Sequence, residues 1–405
     1  MFLDYLNLIK RSILNRKLRS FLTILGIVIG ATVIVSIISV GQGMNDAINQ
    51  LVSSVGSDRI FVSPGGISLG PTGSSLTNTK FSNKDVEVIS KAEGVEYAVP
   101  LITKSAKVNF EGQNKYATIF GTPVDSKSLD IFKNIEFYKV SQGRTITSQD
   151  KFKANIGSNL ANNFFKKKIN IGDTLEINGK KVEVVGIIKN SGSPIHNNLI
   201  RMPIDSAREI LNEPELISMV LVKVKSGYDP AKVAENIKKD LRKYRNVEKG
   251  KEDFTVQITK NLIEGFKSVL LAAQIVLIGV AIISILVGGI GITNTMFTSV
   301  SERTKEIGIM KAVGATNLQI ITIFLLEAGI LGTIGGSIGV IIGSIIAELV
   351  EIFAAAKGMT LLKTSVSLEL ILVTLILSFL SGIIAGLIPA IKASKLNPVE
   401  AIRHE

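Results

Sequence analysis

Four apolar blocks constrain this chain more than anything else in it. Residues 21–40, 268–297, 318–347 and 370–391 hold a single charged side chain among them, Glu327. Each block reaches the roughly 20 residues that carry a helix across about 30 Å of hydrocarbon. Lipid offers no partner for a backbone amide or carbonyl, so such blocks cross as helices that satisfy those groups internally. The 46% hydrophobic content of the 405 residues is therefore concentrated rather than spread. The first block is longer than the core of a signal peptide and no small-residue cleavage pattern follows it, so an uncleaved anchor is expected.

The formal net charge of +12 raises the question of nucleic acid. Dispersed basic residues, 6% aromatics and no recognisable motif argue against that partner. Lys10, Arg11, Arg16, Lys17 and Arg19 precede the first block against Asp4 alone, which by the positive-inside rule places the N-terminus in the cytoplasm. Counting crossings gives a basic segment 1–20, a span 21–41, an outer domain 42–267, a span 268–297, an inner turn 298–317, a span 318–347, an outer loop 348–369, a span 370–391 and an inner tail 392–405. Arg303, Lys305 and Lys311 in the inner turn and Lys392, Lys395 and Arg403 in the tail outnumber Lys357 and Lys363 outside. The expectation is a multi-pass protein of the cell (plasma or inner) membrane with both termini cytoplasmic. The absence of cysteine removes disulfides and thiol chemistry.

Residues 42–267 have the mixed composition of a folded α+β domain. Strand patterns cover Arg59–Ser63, Val95–Ile102, Lys115–Gly121, Thr174–Ile177, Lys181–Ile188, Met219–Lys225 and Phe254–Ile258. Helical patterns cover Asn83–Ala92, Ile204–Leu211 and Pro230–Tyr244, with Asn83 and Asp229 as N-caps. Strand, helix, strand occurs near each end of the domain, which suggests two βαβ halves of one subdomain with a β-rich lobe inserted between them. Asn178-Gly179 between two strands supplies the positive φ angles of a type I′ hairpin. The Gly-, Ser- and Thr-rich stretch Pro64–Asn83 is a solvated linker or a contact surface. His196, in the segment Ser191–Asn198, has no second ligand at metal spacing and reads as a surface residue.

No G-x-x-x-x-G-K-[ST] loop occurs, so this chain does not bind ATP in that manner. No catalytic constellation is recognisable either, so the chain is expected to be no enzyme and to act mechanically. The most informative stretch is GGIGITNTMFTSVSERTKEIGIMKAVGAT, Gly288–Thr316. Ser299 and Glu302 have capping-box spacing. Lys311 complements the helix C-terminus, and Gly314 suits a left-handed stop. Ile307, Met310 and Val313 recur every three residues. Together they describe a short helix with an apolar face suited to docking on a partner. Glu327 lies near the cytoplasmic end of the third span, where snorkelling or ion pairing is expected rather than a proton relay. Gly332/Gly336, Gly335/Gly339 and Gly339/Gly343 have the GxxxG spacing that brings helix backbones close. Gly288, Gly289 and Gly291 in the second span suit packing or bending.

The run GGIGI.N.M...V.ERT.EIGI.KA.GA resembles the signature of MacB/FtsX-type ABC permeases. RSILNRKLRSFLTILGIVIG (Arg11–Gly30), GSDRIFVSPGG in the outer domain and PAIKASKLNPVEAIRHE at the C-terminus resemble other parts of that family in the same order. The resemblance implies an α-helical membrane protein with four transmembrane helices and a large mixed α+β extracytoplasmic domain, with porter-like βαβ halves and an inserted β-rich lobe. It implies a homodimer coupled to a separate ABC ATPase subunit that binds ATP and Mg, with no cofactor in this chain and room for an extracytoplasmic adaptor. It makes Glu302, Arg303, Glu306, Ile307, Met310, Lys311 and Gly314 the ATPase-coupling residues of a permease that exports or extrudes a substrate. The alternative it leaves is an FtsX-like transmembrane switch that activates an outside enzyme without moving cargo.

Overall fold

The structure is a computed structural model and describes residues 17–65, 80–133, 135 and 138–403. Lys10, Arg11, Arg16 and most of the Pro64–Asn83 stretch lie outside the described residues. The chain runs α1 (Lys17–Val55), β1 (Arg59–Pro64), α2 (Asn83–Lys91), β2 (Val95–Phe110), β3 (Gln113–Thr122), α3 (Ser126–Lys133), β4 (Val140–Gly143) and β5 (Lys153–Ile156). After a π-helical turn at Leu160–Phe164 come β6 (Thr174–Ile177), β7 (Lys180–Ile188), α4 (Pro194–Asn197), β8 (Leu199–Pro203), α5 (Ile204–Leu211), β9 (Met219–Val224), α6 (Pro230–Arg245) and β10 (Phe254–Ile258). The last third is helical: α7 (Thr259–Glu302), α8 (Thr304–Ala312), α9 (Asn317–Ala356), α10 (Leu368–Ser394) and α11 (Pro398–Arg403). Contacts group these into a helical unit (1–44, 269–353, 363–405) and an α/β unit (45–268, 354–362).

Within the α/β unit, β10, β1, β9 and β2 are neighbours in that order, each antiparallel to the next. With α2 between β1 and β2 and α6 between β9 and β10, this is the split βαβ arrangement of ferredoxin-like folds. Ile60, Val62, Val220, Val222, Ile89 and Ile237 form its core. Arg245 at the end of α6 pairs with Asp253 at 2.6 Å and with Asp85 of α2 at 2.8 Å, drawing both helix ends onto the sheet margin. The cap of α2 is Ser82, not Asn83. Asp85 accepts from the Ser82 amide at 2.7 Å, completing a capping box one residue earlier than expected. A hydroxyl closes this box on both sides, and the Asp three residues on selects its register. Asp229 does cap α6, accepting from the Ala231 amide.

The second half of β2 pairs with β3, β3 with β8, β8 with β5, β5 with β7, β7 with β6, and β6 again with β2. The inserted lobe is thus a closed six-stranded barrel, filled by Val108, Ile119, Ile156, Leu175, Val184 and Ile200. Asn178 and Gly179 sit at φ 47° and 84° in the β6–β7 turn, as a type I′ hairpin requires. Between barrel and ferredoxin-like half lies a mixed layer in which Val99, Leu221 and Met219 meet Phe120, Leu199 and Tyr138. Arg201 of β8 is buried there against the Phe132 and Tyr138 rings, 5.0 and 5.1 Å from their centres.

In the helical unit α1, α7, α9 and α10 are each long and apolar enough to cross a membrane. Their contacts run through glycine. A Cβ on Gly26 of α1 would lie 2.5 Å from Gly288 Cα of α7. The GxxxG glycines of α9 divide between two neighbours. Gly335, Gly339 and Gly343 face Ile24, Ala31 and Val35 of α1, while Gly332 and Gly336 face Ser378 of α10. Hydroxyls add cross-links between backbones: Thr293 donates to the Ala385 carbonyl at 2.7 Å and Thr32 to that of Gly339 at 3.3 Å.

Candidate functional site

The turn joining α7 to α9 carries the candidate coupling residues. Helix α7 stays helical through Glu302, and the Ser299 carbonyl accepts from the Arg303 amide at 3.1 Å inside it. The expected Ser299/Glu302 capping box therefore does not form. A 44-residue helix propagates through the serine, and the break falls at Arg303, whose φ and ψ are −101° and 13°. Helix α8 starts at Thr304 and stops as expected at Gly314, which sits at φ 101°. The Gly314 amide donates to Lys311 O and the Ala315 amide to Met310 O, the two bonds of a Schellman motif.

Three of the coupling candidates fasten α8 to its own bundle. The Arg303 guanidinium lies 3.0 Å from the buried carboxylate of Glu327 in α9 and 3.3 Å from Glu306 one turn along. Breaking an ion pair of this burial by removing one partner costs about 3–5 kcal/mol, because a charge is stranded away from water. Ile307 is fully buried among Met296, Phe324, Leu331 and Ala390, with Met310 half-buried beside it. The Lys311 ammonium donates to the carbonyls of Ser394 and Leu396 at 2.7 and 2.9 Å, capping α10. The 307/310/313 stripe is therefore no free docking face: its first residue is packed inward, and only its last, Val313, is exposed (84%). Glu302, Glu306 and Ile309 also face outward.

Sequence reading had left out α11. It packs along α8, with Ala401 buried and Val399 exposed, and the Asn397 side chain accepts from the Val399 amide at 3.2 Å. Asn397-Pro398 is an N-cap followed by proline at the first helical position, a signal that was available in the sequence. Glu327 also acquires its partner here: the lone intramembrane acid is ion-paired, and Arg303 supplies the charge.

One buried ion pair, one lysine cap and one apolar anchor hold the turn to the helices it joins. Family comparisons cover both units of the chain. Residues 20–240 match the MacB-like periplasmic core domain and residues 278–398 the FtsX-like permease C-terminal domain. The chain belongs to the MacB/FtsX-like family of ABC transporter permeases. It is 36% identical to an uncharacterized ABC transporter permease of Methanocaldococcus jannaschii, over 99% of this chain and 98% of that one. It is 31% identical to the uncharacterized ABC transporter permease YknZ of Bacillus subtilis, over 100% of this chain and 99% of that one. The macrolide export ATP-binding/permease protein MacB of Neisseria meningitidis is 28% identical, and the match spans all of this chain but 61% of that longer protein. Among solved structures, the periplasmic region of MacB from Actinobacillus actinomycetemcomitans matches with a TM-score of 0.43 at 16% identity, covering 54% of this chain and 97% of that one.

Proposed function

We propose that this chain is the permease subunit of an ABC exporter, driven by ATP hydrolysis in a separate ATPase subunit that docks on α8 from the cytoplasm. The observation that carries the reading is the anchoring of α8. Arg303, Ile307 and Lys311 bind it to α9 and α10, so a displacement applied to the turn's outward residues Glu302, Glu306, Ile309 and Val313 reaches the bundle. The permease relatives matched over nearly their full length support the permease role, and the longer MacB, whose name joins ATP binding to permease, supports a link to an ATPase. ATP and Mg then belong to the partner.

In this reading both termini are cytoplasmic, the chain works as a homodimer in the cell membrane, and the α/β domains of two copies move a substrate on the far side. A domain built of two full lobes favours export over a pure switch, since a switch needs only one contact surface outside. An extracytoplasmic adaptor fits the same scheme.

Ile309→Asp and Val313→Asp test the reading, because both alter exposed positions and leave the Arg303, Ile307 and Lys311 anchors in place. Reconstituted with its ATPase, each variant is expected to lose cargo movement into vesicles and permease-stimulated ATP turnover by about tenfold or more, or about 1.4 kcal/mol of coupling. Membrane insertion stays at the parent level. Unchanged turnover and transport in both variants would remove α8 as the coupling surface.

A further inference from the structure

Besides the long segment 45–268, the α/β unit includes a short stretch from the helical part of the sequence, residues 354–362 between α9 and α10. Helix α1 leads into β1 and β10 leads into α7, so both covalent entries lie in the ferredoxin-like half. There the Thr259 hydroxyl donates to the carbonyls of Arg59 and Gly56 at 3.1 and 3.2 Å, tying exit to entrance. The barrel has no such entry. What meets it is the turn between α9 and α10: residues 354–362 group by contact with the α/β domain rather than with the helices they join.

That turn is well made. Gly358 at φ 87° ends α9, with the Gly358 amide donating to Ala355 O and the Met359 amide to Ala354 O, a second Schellman motif. Ala354 and Leu362 are buried. Its seat is the loop between β7 and β8 of the barrel. At Gly192 (φ 70°) a Cβ would stand 2.5 Å from Leu361 Cγ and 2.9 Å from Thr360 Oγ1, so the contact needs a residue without one. The seat is itself braced. Asn190 Oδ1 accepts from the Gly192 amide at 2.9 Å and from Asn197 Nδ2 at 2.8 Å, while Asn197 Oδ1 accepts from the Ser191 amide at 3.0 Å.

We propose that α9 is a third mechanical connection, a rod gripped near its start by Arg303 on Glu327 and seated at its far end on Gly192 of the barrel. It would deliver motion of the α8 turn to the barrel while α1 and α7 address the ferredoxin-like half. The 40 residues of α9 are helical without interruption. From Glu327 to Ala354 such a helix is roughly 40 Å long. The direction of the force rests on the function proposed above; the rod and its seat do not.

Gly192→Val and Gly227→Val place a side chain on a positive-φ glycine in both cases, the first against the turn and the second in open space. Gly192→Val is expected to raise amide exchange in residues 354–362 about tenfold, whereas Gly227→Val leaves that segment at the parent level. In lipid nanodiscs Leu361→Asp is expected to raise amide exchange in residues 190–198 about tenfold, and Glu327→Gln to raise it severalfold at both 354–362 and 190–198, with β10 unchanged. Leu361→Ser serves where the aspartate variant fails to insert. Unaltered exchange at 354–362 in Gly192→Val, or at 190–198 in Glu327→Gln, would overturn the proposal. These readouts use neither ATP nor cargo, so failure here leaves the export function standing, and failure of export leaves the rod standing.

Discussion

An isoleucine means opposite things in the two units of this molecule. Ile200 in the barrel is 0% exposed and Ile283 in α7 is 63% exposed, yet each sits where physics places it. In the α/β domain apolar side chains leave water and the core gains about 25 cal/mol for each Å² removed. In the helical unit the surroundings are as apolar as the side chains, so large aliphatics gain nothing by turning inward. Close backbone approach and polar bridges hold the helices instead. The α/β domain is accordingly packed by large side chains throughout, whereas the bundle adds glycine contacts to a smaller set of buried aliphatics such as Ile27 and Ile292.

The sharpest test of that contrast is to make the same deletion in both places. Ile200→Ala should cost about 4 kcal/mol through lost transfer and a cavity, and Ile283→Ala less than about 0.5. Unfolding of the whole chain in detergent, followed by proteolysis of the α/β domain and of the bundle separately, reads both. Equal costs would break the comparison. The converse is an insertion. Gly26→Leu drives a side chain into the Gly288 backbone and should destabilise the bundle by about 3 kcal/mol. Gly279→Leu, which meets open space, should leave the melting temperature near the parent value.

A smaller effect separates the units by pH. Asp150 in the barrel lobe accepts from Arg144 at 2.6 and 2.7 Å and from the Thr147 amide at 2.8 Å. The Arg144 guanidinium, aided by Thr147, holds its carboxyl well below the usual carboxylate range. The folded state therefore binds its proton more weakly than the unfolded chain does. This contribution is complete above about pH 5 and is lost progressively as pH falls through about 4 toward the folded pKa. Asp150→Asn should cost about 2 kcal/mol at pH 7 and flatten the acid limb of the α/β domain's unfolding curve, with the bundle's curve unmoved.

What was legible in the sequence follows the same divide. Apolar blocks announce spans because few other structures tolerate them, and Thr174–Ile177 was readable to the residue because Gly172-Asp173 and Asn178-Gly179 bound it. Strands β4, β5 and β8 escaped notice. They are four or five residues long, and β5 and β8, buried along nearly their whole length, lack alternation. Barrel closure was unreadable, since Val108 meets Ile177 through a register that no local pattern encodes. At the candidate site the helical stop at Gly314 was visible because it is local. The grip of Arg303 on Glu327 and of Lys311 on the end of α10 joins distant segments, so the chemistry of each residue was apparent but its partner was not.

Strand β2 is 16 residues long, and its first part pairs with β9 while its later part pairs with β3 and β6. At about 3.3 Å per residue, one rigid beam of roughly 50 Å runs through both lobes. Neither lobe can melt alone without stripping partners from the other. The two should lose protection in a single cooperative step, and a protease that cuts the domain should release no half-domain that stays folded.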